Sequence, residues 1–300
     1  MREASMFHRT RFLFVLALVL ATGVAVAGEP VRIALFTDAH VHDINSPVES
    51  KVMTNYAERL GAFAAAANAW PADVAIELGD FVNGAFVMGP GYGDPTRIPG
   101  ILELGIASIA GLNTPMHYVL GNHDLYDLSK SDFLTAVGQD EAYYSFDLGG
   151  VHFVILDAEY NDPDESDFDH VFMRVKCRIP VDEMAWLADD LAQTDLPTIV
   201  CIHQPLDAQF DANAGGPPVV NNAEVRQVLT DSGQVIAVFQ GHDHGNVYTE
   251  IDGIHYVTLA AMVDHTVPGP ATWSQVSLDV ETRMMSIEGF GLQESYELGF

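Results

Sequence analysis

Val235-Ile236-Ala237-Val238-Phe239-Gln240-Gly241-His242-Asp243-His244 sets a run of apolar, largely β-branched residues directly before a glycine and two imidazoles spaced two apart. The run reads as a buried strand, and the polar cluster as its carboxyl end. Four other segments repeat the pattern. Val31–Phe36 ends in Thr37-Asp38-Ala39-His40, and Asp73–Leu78 ends in Gly79-Asp80-Phe81-Val82-Asn83. Met116–Leu120 ends in Gly121-Asn122-His123-Asp124, and Thr198–Ile202 in His203-Gln204-Pro205. In open α/β sheets the ligand crevice lies outside the carboxyl ends of the strands, so five distant segments can meet at one site.

Helical patterns stand between these strands. Val48–Ala69 is Ala-rich with Leu60 and Phe63 on one side, Ile101–Leu112 is a second helix, Val181–Ala192 carries Met184, Leu187 and Leu191 at helical spacing, and Asn222–Thr230 is a fourth. Tyr143–Asp147 and Val151–Leu156 flank Gly149-Gly150 as a hairpin. From Val247 onward the pattern is all β, with strands over Val247–Ile251, Ile254–Leu259, Thr272–Asp279 and Met284–Glu288. Parallel units and hairpins together predict an α/β protein of two sheets sandwiched between helices. Two long loops, residues 84–100 and 161–169, interrupt the pattern; loops of that length are often functional.

The first 27 residues read as a secretory signal peptide. Arg2, Arg9 and Arg11 precede an uncharged, mostly apolar run from Phe12 to Val26, and Ala25-Val26-Ala27 makes a cleavage site before Gly28. A secreted or periplasmic protein of one domain, residues 28–300, is the expectation, with no membrane span in the mature chain. Removing Arg2, Arg9, Arg11 and Glu3 with the leader leaves 10 basic and 41 acidic residues of the 13 and 42 in the whole chain. So acidic a surface repels nucleic acid and anionic membranes. An oxidising compartment permits a disulfide between Cys177 and Cys201 but does not demand one.

The residue types at the strand ends say what the site can hold. Asp, Asn and His offer oxygen and nitrogen ligands and no thiolate, a set suited to Mn, Fe, Zn, Co or Ni. Residues two apart on an extended segment point the same way, which lets Asp38 and His40 reach one ion, and lets His242 and His244 do likewise or divide between two. Asp80, with two carboxylate oxygens, is the natural bridge. The glycines at 79, 121 and 241 suit places where backbone must approach closely. Taken singly, each cluster has a plainer reading as a turn or a surface pair; five in one chain, each at a strand end, do not. His40-Val41-His42-Asp43 starts like the HxHxDH signature of the metallo-β-lactamase fold, but Ile44 and Asn45 follow and the pattern fails; His42 is then expected at the surface or the rim of the site.

The five blocks resemble the calcineurin-like metallophosphoesterase superfamily, whose pattern is D-x-H, GD-x-x-[DN], GN-H-[DE], H and GH-x-H. They stand here in order from Asp38 to His244. The resemblance implies a four-layer α/β/β/α sandwich and two divalent metal ions, Mn, Fe or Zn. It implies one ion on Asp38, His40, Asp80 and His244, and the other on Asp80, Asn122, His203 and His242. It places His123 beside the metals as the catalytic residue that assists the leaving group or phosphate oxygens. Many members have Asp where Asn83 stands, to orient the motif histidine; an amide can fix a tautomer but cannot stabilise an imidazolium as a carboxylate does. Within the superfamily, His203–Leu206, Val220–Val225, Val238–His244 and Gly253–Leu259 look similar to the manganese-dependent ADP-ribose/CDP-alcohol diphosphatase branch, which often carries Gln at the position of His40.

The implied function is hydrolysis of phosphomonoester, phosphodiester or nucleoside-diphosphate-type bonds, with a small, nucleotide-like phosphorylated substrate and in-line attack by a hydroxide that bridges two cations. The chain has few cations to attract such an anion, and Arg97 in the first long loop is a candidate. A metal-binding interaction scaffold of the same fold and a secreted binding protein without metal are the alternative readings.

Overall fold

The computed structural model describes residues 28–45, 51–85, 94–167, 177–207, 219–263 and 271–300. The leader expected over residues 1–27 lies outside these, as do residues 48–50 of the first expected helix and parts of both long loops.

Alternation along the strands builds the layers. In β1 (Val31–Phe36), Ile33 and Leu35 join one buried cluster while Ala34 and Phe36 join another, because successive side chains of a strand point to opposite faces. The Ile33 cluster also takes Phe153 and Ile155 of β5 (Val151–Ile155), Ile199 and Cys201 of β6 (Thr198–Cys201), and Phe239 of β7 (Val235–Gln240). It is the seam between two sheets. Ala34 and Phe36 instead pack on Leu60 and Phe63 of α1 (Tyr56–Ala69) and on Ile101 and Leu102 of α2 (Ile98–Ile109). The rings of Phe36 and Phe63 meet edge to face at 4.6 Å. Behind the second sheet, Val154, Val200 and Val238 pack on Leu187 and Leu191 of α4 (Val181–Leu191) and on Val225 and Leu229 of α5 (Asn222–Ser232). Helix, sheet, sheet and helix layers follow, as the sequence predicts.

The first sheet runs β12 (Tyr296–Gly299), β11 (Met284–Phe290), β10 (Trp273–Asp279), β1, β2 (Val74–Glu77), β3 (Met116–Tyr118). The second runs β4 (Tyr144–Leu148), β5, β6, β7, β9 (Ile254–Thr258), β8 (Val247–Ile251). Strands β1 to β3 are parallel, as are β5, β6, β7 and β9. The antiparallel strands flank them on both sheets. The parallel strands therefore deliver their carboxyl ends to one edge of the sandwich.

Two elements escape the sequence reading. Helix α3 (Lys130–Val137) is only 8 residues long, too short to show a period. Its ends were the available signal: Ser129 and Asp132 form a reciprocal capping box, and Gly138 closes the helix in the left-handed conformation. The edge strand β12 has 4 residues, two of them exposed, and no apolar run to mark it. Cys177 and Cys201 are free and buried. Cys201 faces the seam between the sheets and Cys177 the helix side of the second sheet, so the disulfide permitted by compartment does not form. Among the described residues no helix is long and apolar enough to cross a membrane.

Candidate metal centre

The edge where the parallel strands end is stitched together by hydrogen bonds between the very loops that carry the candidate ligands. After β1 the chain runs beside the loop after β2: Asp38 N donates to Gly79 O, His40 N to Asp80 O and Val41 N to Phe81 O, all at 2.8–2.9 Å. The loop after β3 is tied in by His123 N, which donates to Asp80 Oδ1 at 2.7 Å. Asp124 welds the same two loops, accepting from Asp80 N, Gly121 N and Val82 N at 2.8–3.0 Å. The second sheet joins through His203, whose Nδ1–H donates to Leu78 O at 2.8 Å, and through His242 N, which donates to Asp38 Oδ2 at 3.0 Å.

This backbone is strained. Asp38, His40, Asp80, His242 and His244 have φ of 52°, 44°, 59°, 71° and 60°, the left-handed region that non-glycine residues enter at a cost of order 1–3 kcal/mol each. Such conformers persist only where the surroundings over-determine them, and they cluster at functional sites. They also correct one step of the sequence reading. Asp38 and His40 do reach a common point, but not as alternate residues of an extended strand. Each is turned there by a left-handed kink.

The side chains fall into overlapping groups. Asp38, His40 and His244 form one, Asp80, His203 and His242 a second, and His40, Asp80 and His123 a third; within each, the candidate donor atoms lie within 4.8 Å of one another. His244 Nε2 is 3.1 Å from Asp38 Oδ1 and 3.0 Å from His40 Nε2. His203 Nε2 is 3.2 Å from Asp80 Oδ2 and 3.3 Å from His242 Nδ1. Asp80 Oδ2 is also 3.8 Å from His40 Nε2 and 3.9 Å from His123 Nε2. One carboxylate oxygen thus faces both halves of the site.

Several of these atoms are buried without a hydrogen-bond partner, and Asp38 Oδ1 faces only the imidazoles of His244 and His40, at 3.1 and 3.6 Å. Asp38 Oδ1 and Asn122 Oδ1 have no hydrogen-bond partner, although Asp38 Oδ2 accepts from Thr37 Oγ1 at 2.7 Å and Asn122 Nδ2 donates to the Tyr126 hydroxyl at 2.8 Å. Leaving a buried acceptor unmet costs about 1–3 kcal/mol. In each pair one atom fixes the side chain and the other is left without a hydrogen-bond partner. The imidazoles follow the same rule. The Nδ1 atoms of His40 and His203 are held by Asn83 Oδ1 at 2.8 Å and by Leu78 O, which sets both tautomers and leaves Nε2 turned inward. Oriented imidazoles, orphaned oxygens and a shared carboxylate fit a pair of divalent cations.

Electrostatics agree with that fit. Burial holds His242 down to about 4, and burial together with the charge of Lys51 does the same for His40. Both are therefore neutral and have lone pairs to give at physiological pH. Burial opposes ionisation of Asp80, but the charges of His203 and His123 outweigh it and keep the group a carboxylate. Burial likewise opposes a charge on His203, yet neighbouring Asp80 raises its pKa well above 6.5. A cation arriving between these two would displace a proton from His203, so metal uptake and proton release are linked.

A family model described as calcineurin-like phosphoesterase matches residues 31–246. The chain belongs to that family. Among curated proteins, this phosphoesterase is 23% identical over 222 residues to a manganese-dependent ADP-ribose/CDP-alcohol diphosphatase of Arabidopsis thaliana, a match spanning 61% of this chain and 70% of the relative. Its structure is similar to a dimetal phosphatase from Danio rerio, with a TM-score of 0.74, 19% identity, and coverage of 91% of this chain and 100% of the other. The anchor protein GAP50 of the Plasmodium inner membrane complex shares the fold at a TM-score of 0.56 and 13% identity, over 91% of this chain and 89% of that one. Such distant likeness shows architecture, and the site has to speak for the chemistry.

Within the phosphoesterase, the seven residues singled out by sequence, together with His123, all stand at the carboxyl-end edge. Three details differ from the sequence reading. Asn83 orients His40, not His123, whose own Nδ1 is buried without a partner. His42 is buried, 2% exposed, and its Nδ1 accepts from Ile44 N. Arg97 is paired with Asp43 and does not stand as a lone cation. Thr37, Asp124 and Tyr126 support the site without having been given roles; all three neighbour a motif in sequence, but only the folded contacts give them a task. Asn83→Ala is expected to weaken metal affinity by roughly 10–100-fold, the usual cost of losing a group that orients a ligand, as read by competition with a metal-sensitive dye. Wild-type affinity in that variant would show that Asn83 does not set the His40 tautomer.

Proposed function

We propose that the protein is a metal-dependent phosphoesterase with a dinuclear site. One divalent ion would be held by Asp38, His40, Asp80 and His244, and the other by Asp80, Asn122, His203 and His242. The observation that carries this reading is the position of Asp80 Oδ2 between the two groups of imidazoles, with buried oxygens of Asp38 and Asn122 left without a hydrogen-bond partner. When bound, such ions supply Lewis acidity that activates water and offsets charge on a phosphoryl group.

The chain's own residues orient and donate. His123 lies edge-on to His40, with ring centroids 4.5 Å apart, and against the Tyr126 ring at 4.7 Å. Burial, with added repulsion from Lys51, pushes its pKa well below 6.5. His123 therefore acts as a neutral donor to a phosphoryl or leaving-group oxygen, where it strengthens the stabilisation of developing negative charge. This replaces the imidazolium role that the family pattern suggests. The Arabidopsis relative favours a nucleotide-like substrate with a diphosphate bond and manganese as one native metal. The amino-terminal leader favours export to a secreted or periplasmic location.

Hydrolysis of an aryl phosphate, an aryl phosphodiester, ADP-ribose and CDP-linked alcohols with Mn²⁺, before and after chelation, tests the proposal. Activity is expected to fall to background on chelation and to return with added divalent ion. Turnover indifferent to removal of metal overturns it. Mass spectrometry of the exported protein is expected to find Gly28 as the amino terminus.

A further inference from the structure

Two groups of the candidate centre need an orienting partner that the motif residues do not supply. Asn122 carries an amide, and only its oxygen end has lone pairs for a cation. Turned the other way, it would present N–H bonds to the ion. His123 carries a ring whose angle no hydrogen bond fixes among the described residues. Its Nδ1 is buried without a partner, and its Nε2 stands 3.9 Å from Asp80 Oδ2, beyond hydrogen-bonding distance. His40 and His203 differ, because Asn83 Oδ1 and Leu78 O hold their Nδ1 atoms at 2.8 Å.

One side chain meets both groups. The Tyr126 hydroxyl accepts from Asn122 Nδ2 at 2.8 Å, which occupies the nitrogen end of the amide and leaves Oδ1 without a hydrogen-bond partner. The Tyr126 ring lies against the His123 ring, with centroids 4.7 Å apart and planes at 51°. His40 meets the same imidazole edge-on at 4.5 Å, so packing does for His123 what hydrogen bonds do for His40 and His203.

Tyr126 is itself held firmly. On one flank Asp124 accepts from Asp80 N at 3.0 Å and from Val82 N at 2.8 Å. On the other, Asp127 accepts from Ala85 N at 2.6 Å. A Cβ on Gly84 would come within 2.6 Å of Tyr126 Cβ, so the chain at residues 84–85 closes directly on the tyrosine. A side chain fixed in this way can impose its own orientation on its neighbours.

We propose that Tyr126 is a positioning residue with two separable tasks. Its hydroxyl turns Asn122 Oδ1 toward the ion of the Asp80, Asn122, His203 and His242 group, and its ring sets the angle from which His123 donates to the substrate. The inference rests on the dinuclear phosphoesterase reading above and adds to it what orients His123, a task that Asn83 does not perform.

The test compares Tyr126→Phe, which removes the hydroxyl and keeps the ring, with Tyr126→Leu, which removes both. Mn²⁺ is titrated by calorimetry into chelator-stripped protein, the melting temperature of the stripped protein is recorded, and kcat is measured at saturating Mn²⁺ on the best substrate found. Tyr126→Phe is expected to bind one of the two ions roughly 10–100-fold more weakly, the usual cost of losing a group that orients a ligand, with the other ion held at the wild-type affinity. Tyr126→Leu is expected to show the same loss and, in addition, a kcat on the order of 10²-fold below that of Tyr126→Phe, the scale of a misplaced catalytic group, which excess Mn²⁺ does not recover. Two ions bound by Tyr126→Phe as tightly as by the wild type overturn the proposal, and so do equal kcat values in the two variants. Equal weakening of both ions together with a lower melting temperature also overturns it, by making Tyr126 merely structural. If Tyr126→Leu is not folded by circular dichroism, Tyr126→Met removes the ring and gives the same readout. A wild type that binds two ions but hydrolyses nothing defeats the phosphoesterase reading, while the titrations still decide the task of the hydroxyl. A wild type that binds fewer than two ions defeats the dinuclear reading and the proposal with it.

Discussion

Asp80→Asn is expected to lower turnover by on the order of 10³-fold, the scale on which removal of one preorganised electrostatic element slows an enzyme, and to reduce the metal bound per chain. The substitution is nearly isosteric, so the fold is expected to survive it. What changes is charge. Asp80 Oδ2 is the atom that His203 approaches at 3.2 Å and that His40 and His123 face at 3.8 and 3.9 Å. An amide oxygen there carries no formal charge, and an amide nitrogen turned inward would repel a cation. Asp80 Oδ1 must go on accepting from His123 N at 2.7 Å, which favours the orientation that aims the amide nitrogen inward. His203 is affected as well, because the Asp80 charge is what raises its pKa against the opposing effect of burial. In Asp80→Asn the histidine is expected to titrate lower, visible by NMR of its ring protons. An Asp80→Asn protein with two bound ions and wild-type turnover would rule out a bridging carboxylate.

Gly121→Ala is expected to be the most damaging small substitution at the site. A Cβ at residue 121 would sit closer than 3.0 Å to Asp80 N and Asp80 Oδ1, a separation that real Cβ atoms essentially never show. Backbone and carboxylate cannot both give way, because Asp80 N is held by Asp124 and Asp80 Oδ1 by His123 N. Overpacking of this kind costs about 1–3 kcal/mol of stability. The larger loss falls on function, since a displacement of about 1 Å in a positioned group can cost on the order of 10²-fold in rate. Thermal unfolding and metal content measured on the same preparation separate the two effects. Full metal content and wild-type melting temperature in Gly121→Ala would mean that the loops after β2 and β3 are far softer than their hydrogen bonds indicate. Gly241 makes an analogous close approach to Thr37 and Asp38, so the site is crowded from the second sheet as well.

Much of the fold was legible because burial on both faces leaves a long signature. The strands Val31–Phe36 and Val235–Gln240 keep their predicted bounds, and all of their interior positions but Arg32 are apolar. Short elements with little to bury, such as α3 and β12, left no such trace. Helix starts were less legible: the expected 101–112 helix starts at Ile98, on the turn set by Pro95–Arg97, and the expected 48–69 helix starts only at Tyr56, residues 51–55 being non-helical.

The sequence by itself determined which residues form the candidate site. Asp, Asn and His at the ends of apolar strands are a local pattern, and the parallel strands that bear them must end on one edge. Tertiary structure alone decided how each side chain is used. It turned Asp38 and His40 by left-handed kinks, gave Asn83 to His40, buried His42 and paired Arg97 with Asp43. It also kept Cys177 and Cys201 on opposite faces of a sheet. The physical reason is the same in each case. A strand's period and apolarity are carried by neighbours in sequence, whereas a hydrogen-bond partner, a backbone strain or a buried charge is fixed by residues tens to hundreds of positions away.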